Sequence, residues 1–212
     1  MAQDVNQVEE TLATIRRLME RGQRYEAVTG KGALVAGLAA VAMAGFVGWI
    51  ARADPFPALV GHDLEVFVAA WAVLALACVA WIIRGAMRLP FAPEASSEGR
   101  FSHGARAVGR AVLPAYVAAV GITLGGLAWR NTYLPGAWMC LHGVAILATA
   151  HHAPARLVKL GWAFVVLGVL TSAAFGLLPF WLGPNKAMAL GFGGLNIAYG
   201  LFSLLRPLPR ED

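Results

Sequence analysis

The stretch Ala111–His152, AVLPAYVAAVGITLGGLAWRNTYLPGAWMCLHGVAILATAHH, decides the fold. It holds two apolar runs, 111–129 and 134–150, joined by a link that carries Arg130, Asn131 and Thr132. About 20 helical residues cross the hydrocarbon core of a bilayer, and apolar runs of roughly 17 residues or more are read as spans. The link is long enough only for a turn, so the stretch reads as a transmembrane helical hairpin. Inside it sits His142, the one ionisable side chain placed deep within an apolar segment.

Outward from this hairpin the rest of the chain follows the same pattern. Of 212 residues, 58% are hydrophobic and only 14% charged, outside the range of ordinary soluble domains. Six spans are expected, at about 32–51, 64–83, 111–129, 134–150, 157–178 and 185–205. They define an all-α, six-helix transmembrane domain over 31–212, preceded by a cytoplasmic helix and linker over 1–30, and they leave no room for a soluble catalytic domain. The polar first 30 residues lack the short basic region, apolar core and cleavage site of a secretory signal. Lys and Arg set the orientation: Arg52, Arg130 and Lys186 fall in one set of alternate loops, and the other fourteen of the seventeen in the opposite set. Cytoplasmic loops are the basic ones, so both termini are expected in the cytoplasm. The net charge of +5 is then a topological bias and not a nucleic-acid footprint.

Residues 4–28 read as an amphipathic helix. Val5, Val8, Leu12, Ile15 and Met19 recur at intervals of three and four and share one stripe. Asp4 is suited to the N-cap with Gln7 three residues on, and the early acids and later arginines match the helix dipole. The stripe must be buried against the membrane surface, the rim of its own bundle, a second copy of the chain or a protein partner.

Three spans carry small residues four apart: Ala36, Ala40, Ala44 and Gly48 in the first, Gly121 and Gly125 in the third, Gly168, Ser172 and Gly176 in the fifth. Such faces let helix backbones approach closely within lipid, in the bundle or in a homodimer. The segment 84–110 is expected to be the one long loop, basic and cytoplasmic. Trp49, Trp129, Trp138 and Trp181 are expected in the outer interfacial belt and Trp81 and Trp162 in the inner one, with Trp71 fitting neither. Pro114, near the expected start of the third span, should cost little. Cys78 and Cys140 lie at depths roughly 10 Å apart at 1.5 Å per helical residue, too far for a disulfide.

Candidates for chemistry are few. No Asp, Glu, Lys or Arg falls in the middle of a span, which argues against an ion-coupled transporter. Thr123, His142, Thr171, Ser172, Asn196 and Tyr199 lie near the midplane, either as a polar pocket for a neutral or weakly acidic ligand or as hydrogen-bonding groups between helices. A bis-histidine haem needs a second imidazole at compatible depth, and His62, His103, His151 and His152 lie elsewhere. The adjacent pair His151 and His152 projects about 100° apart on a helix and is a poor chelate, and no metal motif is present. Nucleophile-elbow, zincin, Cys-x-x-Cys and phosphate-loop signatures are all missing, so no metal or cofactor is expected and an enzyme is the least supported class.

Three segments carry a resemblance: Ile15 to Arg21 (IRRLMER) with Tyr25 and Gly30, Tyr133 to Trp138 (YLPGAW), and Met188 to Gly200 (MALGFGGLNIAYG). Together they resemble an uncharacterised family of bacterial six-span integral membrane proteins with an amphipathic cytoplasmic N-terminal helix. The resemblance implies a membrane location and a bacterial source, and carries no activity with it. The expected function is an interaction or regulatory component of the inner membrane, with 4–28 as its contact to a homodimer or protein partner. The alternative is a passive transporter or small-ligand-binding membrane protein that uses the midplane polar set.

Overall fold

The computed structural model describes residues 30–50, 62–88, 103–129, 134–150, 155–177 and 183–205. The amphipathic segment 4–28 lies outside them. The described residues form six helical segments: α1 (Gly30–Ile50), α2 (His62–Arg88), α3 (His103–Ala128), α4 (Leu134–Ala148), α5 (Ala155–Leu177) and α6 (Pro184–Leu205). No strand occurs among the described residues. Five of the six, all but α4, are long and apolar enough to cross a membrane, and at most 28% of any of those apolar windows is buried inside the protein. Large side chains such as Leu38, Phe46, Val73, Leu76, Val117, Leu124, Val169 and Phe202 face outward. A soluble monomer does not tolerate so continuous an apolar surface, so this is a multi-pass membrane protein with lipid covering what the bundle does not.

The helices run beyond the apolar windows. α2 extends to Arg88, and α3 begins at His103 instead of 111. Hydropathy marks where the hydrocarbon ends, whereas backbone hydrogen bonding continues into the interface. The segment expected as a long loop, 84–110, is therefore partly helical, and Arg84, Arg88, Arg106 and Arg110 stand on helix. Pro114 is accordingly an interior residue of α3, where it withdraws the N–H that the Arg110 carbonyl would otherwise accept. α4 stops at Ala148 because Thr149 turns back on the helix, donating both its backbone N–H (3.0 Å) and its hydroxyl (2.7 Å) to the Ile146 carbonyl.

Two antiparallel pairs are packed backbone to backbone through glycine. In the first, a Cβ built on Gly143 would stand 2.6 Å from the Gly161 carbonyl and 2.8 Å from Val165 N, and one on Gly168 would stand 2.7 Å from both Cys140 N and the Gly136 carbonyl. Ser172 packs on Gly136 along the same seam. In the second, a Cβ on Gly37 would stand 2.8 Å from Ile197 N, and one on Gly200 would stand 2.8 Å from both the Gly30 carbonyl and Leu34 N. First and last helices are thus paired along their length. α3 lies antiparallel to α4, since Thr123 meets Trp138, Gly126 meets Leu134 and Tyr116 meets His142. The small faces expected on the first and fifth spans are used inside the protein: Ala40 and Ala44 are buried and Gly168 and Ser172 meet α4. Gly121 of α3 has nothing within 4 Å of where its Cβ would stand.

One core cluster joins Ala40, Ala44 and Val47 of α1 to Leu64, Phe67, Val68 and Trp71 of α2, with Leu134 and Met188. A second joins Met139, Leu160 and Phe164 to Ala187 and Tyr199. Phe192 of α6 packs on both.

Candidate functional site

The site is built on a distortion of α6. Over Ala189–Leu195 the helix widens to π geometry. The local sequence ALGFGGL holds Gly191, Gly193 and Gly194, which resist helical winding least for lack of a side chain but hold it least firmly too. At the end of the wide segment the Asn196 backbone N–H bonds to the Gly193 carbonyl. The Asn196 side chain then supplies a donor to the Phe192 carbonyl, Nδ2 to O at 2.8 Å. Asn196 therefore caps the π segment from within its own helix. Single-turn π segments are frequent at functional sites, and Phe192 lies within this one.

Phe192 meets His142 at a ring-centroid distance of 5.2 Å and Phe164 at 5.3 Å, while His142 and Phe164 stand edge to face at 4.8 Å. One ring from α5 and one from α6 thus flank the α4 imidazole. The remaining side belongs to α3: the Tyr116 hydroxyl and His142 Nδ1 share a hydrogen bond of 3.2 Å. On the far side of Phe192 stands Trp71, at 6.5 Å, and Phe67 continues the chain of rings to Trp138, with which it stacks in parallel at 5.9 Å. Trp138 donates Nε1–H to Thr123 Oγ1 at 2.8 Å. The aromatic series runs through the middle of the bundle and touches α2, α3, α4, α5 and α6.

The expected midplane set is distributed as follows. Thr123, Thr171 and Asn196 each donate to the carbonyl four residues back in their own helix, Ala119, Leu167 and Phe192, at 2.7, 2.7 and 2.8 Å. Thr123 also accepts from Trp138, Thr171 is buried, and Ser172 lies on the seam with Gly136. Tyr199 is buried in the second core cluster with Met139, Leu160 and Phe164. His142 and Thr123 both bond to side chains outside the set, His142 to Tyr116 and Thr123 to Trp138. The stripe Val5, Val8, Leu12, Ile15 and Met19 lies outside the described residues.

Several residues of the site escaped the sequence reading. Tyr116 is 26 positions from His142, and its one signal was a lone phenol in an apolar run. Trp138, expected in the outer belt, is turned inward by its bond to Thr123 and its stacking on Phe67, whereas Trp49, Trp81, Trp129 and Trp162 are exposed as a belt requires. Trp71, which fitted no belt, is 5% exposed, and its Nε1 has no hydrogen-bond acceptor. Such a buried donor costs about 1–3 kcal/mol. A second pole of polarity lies at the start of α6, where buried Asn185 donates Nδ2–H to the Ala44 carbonyl of α1.

Among the described residues no group of three His, Cys, Asp or Glu side chains converges on a point. Cys140 directs its thiol to the Val165 carbonyl at 3.6 Å, so it acts as a donor across the α4 and α5 seam. Comparison with protein families, with curated proteins and with solved structures found no match to the chain.

Proposed function

We infer that the protein is an interaction or regulatory component of a bacterial inner membrane, spanning it six times with both termini in the cytoplasm, in keeping with the bacterial six-span family it resembles. One observation carries this reading: three of the polar side chains expected at mid-depth spend a hydrogen bond on their own helices. Thr123, Thr171 and Asn196 bond to their own backbone, which is how hydroxyl and amide groups are made compatible with lipid-buried helices. What such an arrangement supplies is a rigid helical frame, and the candidate contact is the 4–28 stripe. The fourteen-to-three distribution of basic residues supports the orientation. In the full chain, Leu12→Asp with Ile15→Asp should leave the thermal stability of the detergent-purified protein unchanged while lowering its oligomeric mass or releasing a co-purifying partner. Unchanged mass and unchanged partners would sink the reading.

A second reading, a small-ligand-binding protein, has one observation in its favour. Tyr116 is 42% exposed while its hydroxyl bonds to His142, so the pair is within reach of a weakly polar molecule arriving from the lipid. Saturable binding of such a molecule, lost in Tyr116→Phe, would favour it.

A further inference from the structure

We propose that the end of the α2 and α3 pair that carries Arg84 and Arg110 is a binding site for an anionic phospholipid, whose phosphate lies between the two guanidinium groups and whose acyl chain covers the helices below. The placement follows from register. Phe67 of α2 stacks on Trp138, which bonds to Thr123 of α3, and further along Cys78 of α2 comes within electrostatic reach of Tyr116 of α3. Numbers rise along one helix as they fall along the other, so the two run antiparallel. Arg84 lies six residues beyond Cys78 and Arg110 six before Tyr116, about 9 Å along each axis at 1.5 Å per residue. The two arginines therefore start from different helices at one level.

Just inside that level the helices hardly cover each other. From Ala72 to Trp81 only Leu74 and Cys78 of α2 are half-buried, and the other side chains are exposed, Leu76 by 69% and Trp81 by 66%. Leu113, Pro114 and Val117 of α3 are exposed at the same depth. Acyl chains must cover both surfaces, and the lipid that supplies them has its headgroup beside the arginines. Charge selects which lipid. Arg84 and Arg110 are both exposed. The carboxylates among the described residues are Asp63 and Glu65, about 28 Å or more from Arg84 along α2 at 1.5 Å per residue. No described acid therefore neutralises either arginine. Guanidinium groups match phosphate oxygens in a planar, two-point geometry, and two of them can take the two unesterified oxygens of a phosphodiester. Phosphatidylglycerol brings that phosphate with a net negative charge. Phosphatidylethanolamine and phosphatidylcholine bring it with a cation of their own, which the arginines repel. A neighbouring apolar helix would cover the same surfaces and leave the charge unanswered.

The test uses the full chain in detergent, titrated with phosphatidylglycerol, phosphatidylethanolamine and phosphatidylcholine of identical acyl chains, with retained lipid counted by native mass spectrometry. Phosphatidylglycerol should be retained about 25-fold more strongly than either zwitterion, on the order of fivefold for each arginine near the lipid surface. Arg84→Gln and Arg110→Gln should each lower its retention about fivefold, and the double variant should treat the three lipids alike. Both side chains are exposed, so thermal unfolding should be unchanged. Lys159→Gln is the companion variant: it removes an exposed cation at the same end of the bundle on α5 and should leave retention as it was. Equal retention of the three lipids by the unsubstituted chain overturns the proposal. A loss at Lys159→Gln as large as that at Arg84→Gln also overturns it, because the charge of the whole rim and not this pair would then attract the lipid. Displacement of the lipid by an equal concentration of soluble glycerophosphoglycerol overturns the assignment to a phospholipid. A dimeric mass that persists after lipid is stripped and that retains no phosphatidylglycerol would give the surface to a second copy of the chain instead.

Discussion

His142 illustrates how one half-buried polar side chain is accommodated within an apolar helix. Phe164 and Phe192 pack against its ring, and Tyr116 occupies Nδ1. The hydrogen bond joins α3 to α4, and its net worth is bounded by what such bonds contribute elsewhere in membranes, about 0.6 kcal/mol on average and no more than about 1.7. A double-mutant cycle of Tyr116→Phe and His142→Phe, followed by unfolding in micelles, should therefore return a coupling energy within that range. A coupling near zero would mean that the phenol and imidazole are neighbours by packing alone. Sequence alone exposed His142, because an imidazole in an apolar run is conspicuous. It could not expose the partner, because the pairing depends on the register of α3 against α4, and that register is set by where Gly126 admits Leu134 and where Trp138 finds Thr123.

Between whole elements, glycine placement decides which helices touch backbone to backbone. The α4 and α5 seam and the α1 and α6 seam both pass through positions where an added methyl group would stand less than 3 Å from main-chain atoms. Main chain cannot rotate aside as a flexible side chain can, so the helices would have to separate along the seam. Gly143→Ala and Gly37→Ala should each destabilise the protein by about 1–3 kcal/mol, the usual range for overpacking. Gly121→Ala, which meets open space, should change stability by less than about 0.5 kcal/mol; thermal unfolding of the three variants in one detergent measures the contrast. Losses of equal size at Gly121 and Gly143 would show that the close seam does not govern the response, since helix propensity alone favours alanine at both positions. Here the sequence was legible in part. Spacing of four marked the faces on the first, third and fifth spans, yet nothing in Gly121 and Gly125 distinguished an open face from the closed one at Gly168. The π segment was likewise hidden, since ALGFGGL fits an ordinary α-helix by hydropathy and only its three glycines hint at a weak turn.

At the scale of the molecule, α4 is the element on which the topology turns. Hydropathy marked five long helices plainly, whereas Leu134–Ala148 has 15 residues, about 22 Å at 1.5 Å per residue against a core of roughly 30 Å. A helix this short either crosses where the bilayer thins around it or dips in and returns on the same side. Its contacts favour crossing, because α4 keeps antiparallel register with α5 from Gly136 beside Ser172 to Leu147 beside Gly161, and with α3 from Leu134 beside Gly126 to His142 beside Tyr116. A re-entrant segment would have to break one of these two registers partway. The polar residues that flank it, Arg130 and Asn131 before and His151 and His152 after, are also of the kind that reach an interface from a short span. With Cys78 and Cys140 replaced by Ala, single cysteines at Asn131 and at Ala153 should therefore report opposite sides of the membrane. A membrane-impermeant maleimide applied to intact cells should label Asn131→Cys and spare Ala153→Cys until the membrane is opened. Labelling of both from outside, or of neither, would make α4 re-entrant, leave five crossings and place the two termini on opposite faces. Labelling with the sides reversed would keep six crossings and invert the orientation that Lys and Arg assign, so the same pair of cysteines separates an error in the span count from an error in the charge rule.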